Sequence, residues 1–164
     1  MAFREPDFDT AAAHHYFAAY CFNAAWDLIE KPDRTADDDR MMLALAYASM
    51  FHWSRRPDCD DRRRAVGHWQ ASRVQALLGQ GDEAWREAET CLGLSGALAP
   101  FHLGYAYEAL ARAALVRGDE AQAATWLEKA RTEADQVIKA EDRALLAADL
   151  QDIGRLLKEA TSGR

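Results

Sequence analysis

In the stretch that begins at Phe101, His102, Tyr105, Glu108 and Arg112 stand at three- and four-residue steps. On a helix this spacing puts them on one broad face, with Glu108 and Arg112 close enough to pair. Similar side chains recur earlier: Trp69, Gln70 and Arg73; Ser49, His52 and Trp53; and, nearer the N-terminus, His14, Asn23, Trp26 and Asp27. Two guanidiniums, Arg73 and Arg112, can grip a carboxylate bidentately, as in a peptide C-terminus or an acidic side chain. Trp53, Trp69 and Tyr105 can supply contact area. The same residues also suit a structural use. A buried Glu108–Arg73 or Glu108–Arg112 ion pair, with hydrogen-bonded tryptophans, would hold adjacent helices in register.

Catalytic and metal chemistry find less support. His14, His52 and His102 fall on different helices and are the histidines able to converge on a metal. Helical metal sites usually carry tighter signatures, such as His-Glu-x-x-His, and none is present. His14 and His15 point about 100° apart on a helix, so they do not readily share one ion. No metal or cofactor is expected. There is no Gly-x-Ser-x-Gly elbow and no glycine-rich phosphate loop after a strand. Cys21 and Cys91 lie on small-residue helix faces, where cysteine fills a core. Cys59 lies in an acidic loop that dulls a thiol. No catalytic residue is assigned, and an enzyme is the less favoured class.

The elements that position these residues follow from composition and punctuation. The chain has 164 residues and 49% apolar content, enough for one core without staples. Alanine makes up about a fifth of it, against four valines and three isoleucines. That mix favours helix over sheet. Pro6, Pro32, Pro57 and Pro100 stand where helical patterns start or stop. Gly79-Gln80-Gly81-Asp82 and Arg117-Gly118-Asp119 read as tight turns, with glycine in the left-handed cap and aspartate capping the next helix. Thr35 with Asp38 resembles a capping box. Seven helices are predicted, over 10–30, 36–54, 60–78, 82–93, 100–117, 120–138 and 142–160. Short linkers make neighbouring helices antiparallel hairpins. The last helix is amphipathic through Leu145, Leu146, Leu150, Ile153, Leu156 and Leu157, with Glu141, Arg143, Asp152 and Lys158 mostly off that stripe, and reads as a terminal cap.

Bulk charge narrows the partners. The net charge is −7 and the pI about 5.2. Such a surface repels phosphate, so no nucleic acid is expected. The arginines at 55, 56 and 62–64 are interleaved with Asp58, Asp60 and Asp61 and read as a solvated loop. The apolar stretch from Tyr16 to Trp26 is too short to span a bilayer. Three cysteines without a Cys-x-x-Cys pair, and no secretion signal, point to a cytoplasmic protein.

An internal repeat is visible. Gly81-Asp82-Glu83-Ala84 returns as Gly118-Asp119-Glu120-Ala121, thirty-seven residues later, and Trp69 and Tyr107 stand upstream in similar places. A period in the thirties on a helix–turn–helix unit marks a helical solenoid. Tyr107 takes the bulky aromatic position, Leu110 and Ala111 the large–small pair, Gly118 and Asp119 the turn. Ala123, Leu127 and Ala130 take the small–large–small positions of the second helix. In these residues the chain resembles the tetratricopeptide repeat (TPR) family and small bacterial proteins of that repeat type. The earlier copy carries Ala84, Ala88 and Cys91 but has Arg73 where the pattern wants Gly or Ala, and neither copy ends in the usual Pro.

The resemblance implies a single all-α domain, a right-handed α-α superhelix of antiparallel hairpins. Residues 10–54 would form a diverged hairpin, 60–93 and 100–138 two repeats, and 142–160 a capping helix. It also implies a concave face built mainly from the first helix of each hairpin. His52, Trp53, Trp69, Gln70, Arg73, His102, Tyr105, Glu108 and Arg112 are then the groove residues, and the expected function is binding of a protein or peptide segment. The alternative is a small-molecule-binding protein or enzyme with a polar His/Arg/Tyr/Glu pocket. A second copy of the chain is a further candidate partner, since a short array has ends to cover.

Overall fold

The computed structural model describes residues 6–162, which form seven helices and no strand. They are α1 (Thr10–Ile29), α2 (Ala36–Ser54), α3 (Asp61–Leu77), α4 (Gly81–Ser95), α5 (Pro100–Val116), α6 (Glu120–Gln136) and α7 (Ala140–Ser162). Every boundary falls within two residues of its expected place. No helix among the described residues is long and apolar enough to cross a membrane. The chain divides into two compact units, the first ending at Asp60 and the second beginning at Asp61.

Local signals set the helix ends. Thr35 and Asp38 close a reciprocal capping box at the start of α2. Pro100 opens α5, where its missing N–H costs nothing. Among the described residues, Gly79 and Gly118 are the two with positive φ, at 72° and 74°. Each ends its helix in the same way. The N–H of Gln80 bonds the Gln75 carbonyl at 2.9 Å, and that of Asp119 bonds the Ala114 carbonyl at 2.9 Å. Both are Schellman caps. Asp119 then caps α6, accepting the Gln122 N–H at 2.9 Å.

The other turn departs from expectation. Asp82 does not cap α4; the helix begins at Gly81, and Gln80 stands at the cap without a side-chain bond. The reason is crowding. A Cβ on Gly81 would lie 2.7 Å from Arg117 Cγ and 3.1–3.2 Å from the backbone of Val116 and Arg117. The start of α4 thus touches the end of α5, and Asp82, inside the first turn, pairs with Arg117 at 3.1 Å. Helix α6 stops at Gln136, short of the expected 138, because Val137 turns extended and buries its side chain.

In the first unit α1 and α2 form an antiparallel hairpin. Ala18, Cys21, Ala25 and Ile29 on α1 meet Met42, Ala46 and Ser49 on α2. The Ser49 hydroxyl donates to the Ala18 carbonyl at 2.8 Å and so fixes the register. Arg34 closes the connecting turn, bonding the Ile29 carbonyl and Asp39, each at 3.0 Å.

In the second unit α3 pairs with α4 and α5 with α6, while α5 also packs on α3, α4 and α7. The α3–α4 contacts nest as an antiparallel pair: Ser72 Oγ donates to the Ala84 carbonyl at 2.8 Å, His68 Nδ1 meets Glu87 at 2.7 Å, and Ala65 shares a cluster with Cys91. Ala84, Ala88 and Cys91 on α4, and Ala123, Leu127 and Ala130 on α6, are all buried. Small residues at these steps let helix axes approach closely. Packing of adjacent pairs, with α3 also on α5 and α5 also on α7, is compatible with a helical repeat.

Two glycine substitutions should therefore diverge. Gly81→Ala should lower stability by about 1–3 kcal/mol through overpacking against α5. Gly93→Ala, with nothing within 4 Å of the added carbon, should raise it by about 0.5–1 kcal/mol. Urea denaturation followed by circular dichroism measures both. Equal effects would show that the α4–α5 junction is not tight.

Candidate functional site

The centre of the second unit is a carboxylate. Glu108, on α5, is 1% exposed. It accepts from Trp69 Nε1 at 2.8 Å, from Arg112 Nε at 2.8 Å and, more distantly, from Arg73 Nη1 at 3.5 Å. Spacing explains the arrangement. Arg112 lies one turn beyond Glu108 on the same face, while Trp69 and Arg73 lie one turn apart on α3, which packs beside α5.

Helix α7 supplies two further acids. Arg73 Nη1 donates to Asp149 at 3.0 Å, and the Tyr105 hydroxyl donates to the other Asp149 oxygen at 3.1 Å. Arg112 Nη1 donates to Asp152 at 3.3 Å, and Arg155 meets Asp152 at 2.7 Å. Arg112 Nη2 is buried and has no hydrogen-bond partner among the described residues. Burial, and then the nearby Asp149 carboxylate, pushes the Tyr105 hydroxyl up, so it stays a donor at neutral pH. Burial alone would pull the Arg112 guanidinium down; Glu108 and Asp152 outweigh it and push it up. Burial would likewise raise the Asp152 carboxyl, but Arg155 and Arg112 hold it below the usual range.

Beside this network is a cavity of about 180 Å³ between α3, α4 and α5. Trp69, Phe101, His102 and Tyr105 wall it, with Ala65, Val66, Cys91 and Ser95 around them. Tyr105 meets Trp69 edge-on at 4.8 Å and Phe101 at 5.0 Å. The aromatic walls are thus packed against one another, and two of them, Trp69 and Tyr105, are also held by hydrogen bonds to carboxylates. Cys91 is buried and its thiol is pushed up to about 12, first by burial, so it is no nucleophile at neutral pH.

Of the residues expected to line a groove, the second unit brings Trp69, Arg73, Tyr105, Glu108 and Arg112 into one network and sets His102 on the cavity wall. Gln70 has no accessible surface and belongs to the packed interior. His52 and Trp53 belong to the first unit. Trp53 lies under the Arg56 guanidinium at 3.9 Å, and Arg56 forks onto Asp58 at 2.7 and 2.9 Å. His52 meets His14, Nδ1 to Nδ1, at 2.8 Å. Sequence reasoning missed Asp149, and placed Asp152 only among the charges mostly off the apolar stripe of the last helix. Their signal was available: both flank the buried Leu146, Leu150 and Ile153 stripe, and Arg73 and Arg112 had one acid, Glu108, between them.

No protein-family model, curated protein or solved structure matches the chain.

Glu108→Ala should cost about 3–5 kcal/mol, because it strands the buried Arg112 charge. Asp152→Asn, at a half-exposed partner, should cost about 1 kcal/mol or less. Chemical denaturation separates them, and a cost for Glu108→Ala no larger than that for Asp152→Asn would remove Glu108 from the centre of the network.

The histidine pair predicts a pH dependence in the first unit. Burial, and then His14, holds the His52 imidazole below its ordinary value. The unfolded chain then takes up this proton more readily than the folded one. The stabilisation is present above about pH 6.5 and is lost as the pH falls through the lower folded value. Proton NMR of the His52 ring should give a midpoint below about 6.5; a midpoint above it would reverse the sign.

Proposed function

We propose that the second unit is an interaction module that binds a segment of a partner protein in the concave groove of a short TPR-like array. The observation that carries this reading is the aromatic cavity between α3, α4 and α5, at about 180 Å³. Its size selects the ligand. Sites for whole small molecules are about 300–1,000 Å³, whereas a cavity of about 150 Å³ takes a single benzene ring. A single branched aliphatic or phenyl side chain fits, which favours a peptide anchor over a complete metabolite. The recurring Gly-Asp-Glu-Ala turns and the packing of α3 on α5 support the superhelical groove that would present such a cavity.

Polar groups at the edge of the cavity would orient the segment. His102 lies on the wall, and the Tyr105 hydroxyl and Trp69 N–H are already aligned by Asp149 and Glu108. Fixed aromatic anchors lose little freedom on binding, which is where interface energy concentrates.

The test is selection of peptides from a display library on the intact protein, followed by calorimetry. Selected peptides should share one apolar anchor residue. Val66→Phe, which fills the cavity while leaving every residue of the network in the sequence, should weaken them by tenfold or more, or about 1.4 kcal/mol. Peptides that bind folded Val66→Phe as tightly as the native protein would remove the cavity from the function.

A further inference from the structure

We infer that the first unit carries a metal-ion site, formed by His14 of α1 and His52 of α2, that takes a divalent late first-row ion such as Ni²⁺ or Cu²⁺. The observation is the Nδ1–Nδ1 separation of 2.8 Å across the hairpin. Two basic nitrogens at this distance can be joined in two ways: by one proton, as Nδ1–H···Nδ1, or by one ion that receives both lone pairs.

Geometry selects the ion. With metal–nitrogen bonds of about 2.0–2.1 Å, a 2.8 Å separation subtends an angle of roughly 84–89° at the metal. Adjacent positions of a square-planar or octahedral ion are 90° apart. A tetrahedral ion would want the nitrogens about 3.3 Å apart. Tetragonal nitrogen sites suit Cu²⁺ and Ni²⁺, and both stand high in the order of affinity for nitrogen donors.

The scaffold holds the two rings where the ion needs them. The Ser49–Ala18 hydrogen bond lies one turn from the pair on each helix, so hairpin register and ring separation are set together. Phe17 and Phe51 flank the rings, at 5.4 Å from His52 and 5.7 Å from His14. These ring contacts lie beside the pair and leave its outer side open to solvent, where an ion can enter. Among the described residues no group of three or more histidines, cysteines and carboxylates is gathered for a metal. The remaining positions would therefore go to water or an outside ligand, which makes the site exchangeable. The proton balance is simple: of two neutral rings joined as Nδ1–H···Nδ1, the donor moves its proton to Nε2 as the ion binds, and no net proton is released.

The experiment is titration of Ni²⁺ into chelator-treated full-length protein, read by calorimetry and by thermal melting. Native protein should take up one ion per chain and melt at higher temperature when loaded, because the ion cross-links α1 to α2. His14→Ala and His52→Ala should each weaken uptake by about tenfold or more and abolish the rise in melting temperature. His15→Ala, at the neighbouring exposed histidine, should do neither. Paramagnetic broadening by Ni²⁺ should fall first on the ring protons of His14 and His52. Absence of saturable uptake by the native protein, or uptake by the His14→Ala/His52→Ala double variant within twofold of native, overturns the site. So does native-like uptake with broadening centred on other residues.

Discussion

A carboxylate with 1% of its surface in water is costly to bury unless donors surround it. Glu108 meets that condition through Trp69, Arg112 and Arg73. The donors come from two helices, so α3 and α5 are bound to a common point. Arg73 and Arg112 then carry charge outward to Asp149 and Asp152, which brings α7 into the same system. The aromatic cavity depends on this arrangement. Its Trp69 and Tyr105 walls are hydrogen-bonded to Glu108 and Asp149, so the position of one buried acid sets the shape of the recess beside it.

Small residues make the approach possible. Ala106, Ala109, Ala111, Ala113 and Ala114 leave α5 with little side-chain bulk on its buried faces. Gly104 continues this toward α7, where a Cβ would come 2.6 Å from Leu146. Helix α5 can therefore touch α3, α4, α6 and α7, while its longer polar residues, Glu108 and Arg112, fill the space that remains. Alanine-rich composition is thus a structural requirement, since a bulkier α5 would hold α3 too far away for Trp69 to reach Glu108.

The sequence made most of this fold legible because its signals are local. Proline and glycine punctuation, the Thr35–Asp38 box and the Gly-Asp turns depend on residues a few positions apart, and all seven helices followed from them. Asp82 was misjudged as a cap because its place was decided by Arg117, thirty-five residues away. Asp149 was missed for the same kind of reason: its partners lie on α3 and α5, and helical periodicity describes only one helix at a time. The ionic pairing of Arg73, Glu108 and Arg112 was legible from charge and spacing. The closing of His14 on His52 was open to a guess but not to a derivation, because hairpin register is set by Ser49 and Ala18, neither of which carries a conspicuous signal.

Charge balance decides how the second unit can recognise anything. Arg73, Arg112 and Arg155 face Glu108, Asp149 and Asp152, so the guanidiniums already have carboxylates of their own chain. An incoming carboxylate would have to displace Asp149 or Asp152, whose side chains are 25% and 39% exposed and can return to water at low cost. Displacing Glu108 would expose the buried end of Arg112 and cost far more. A carboxylate ligand therefore gains little by exchange, since it replaces one ion pair with another. The apolar cavity involves no such exchange: filling it removes hydrocarbon and aromatic surface from water without breaking a contact. Affinity should thus come from the anchor side chain, while the polar network holds the cavity open and sets the direction in which a segment can lie.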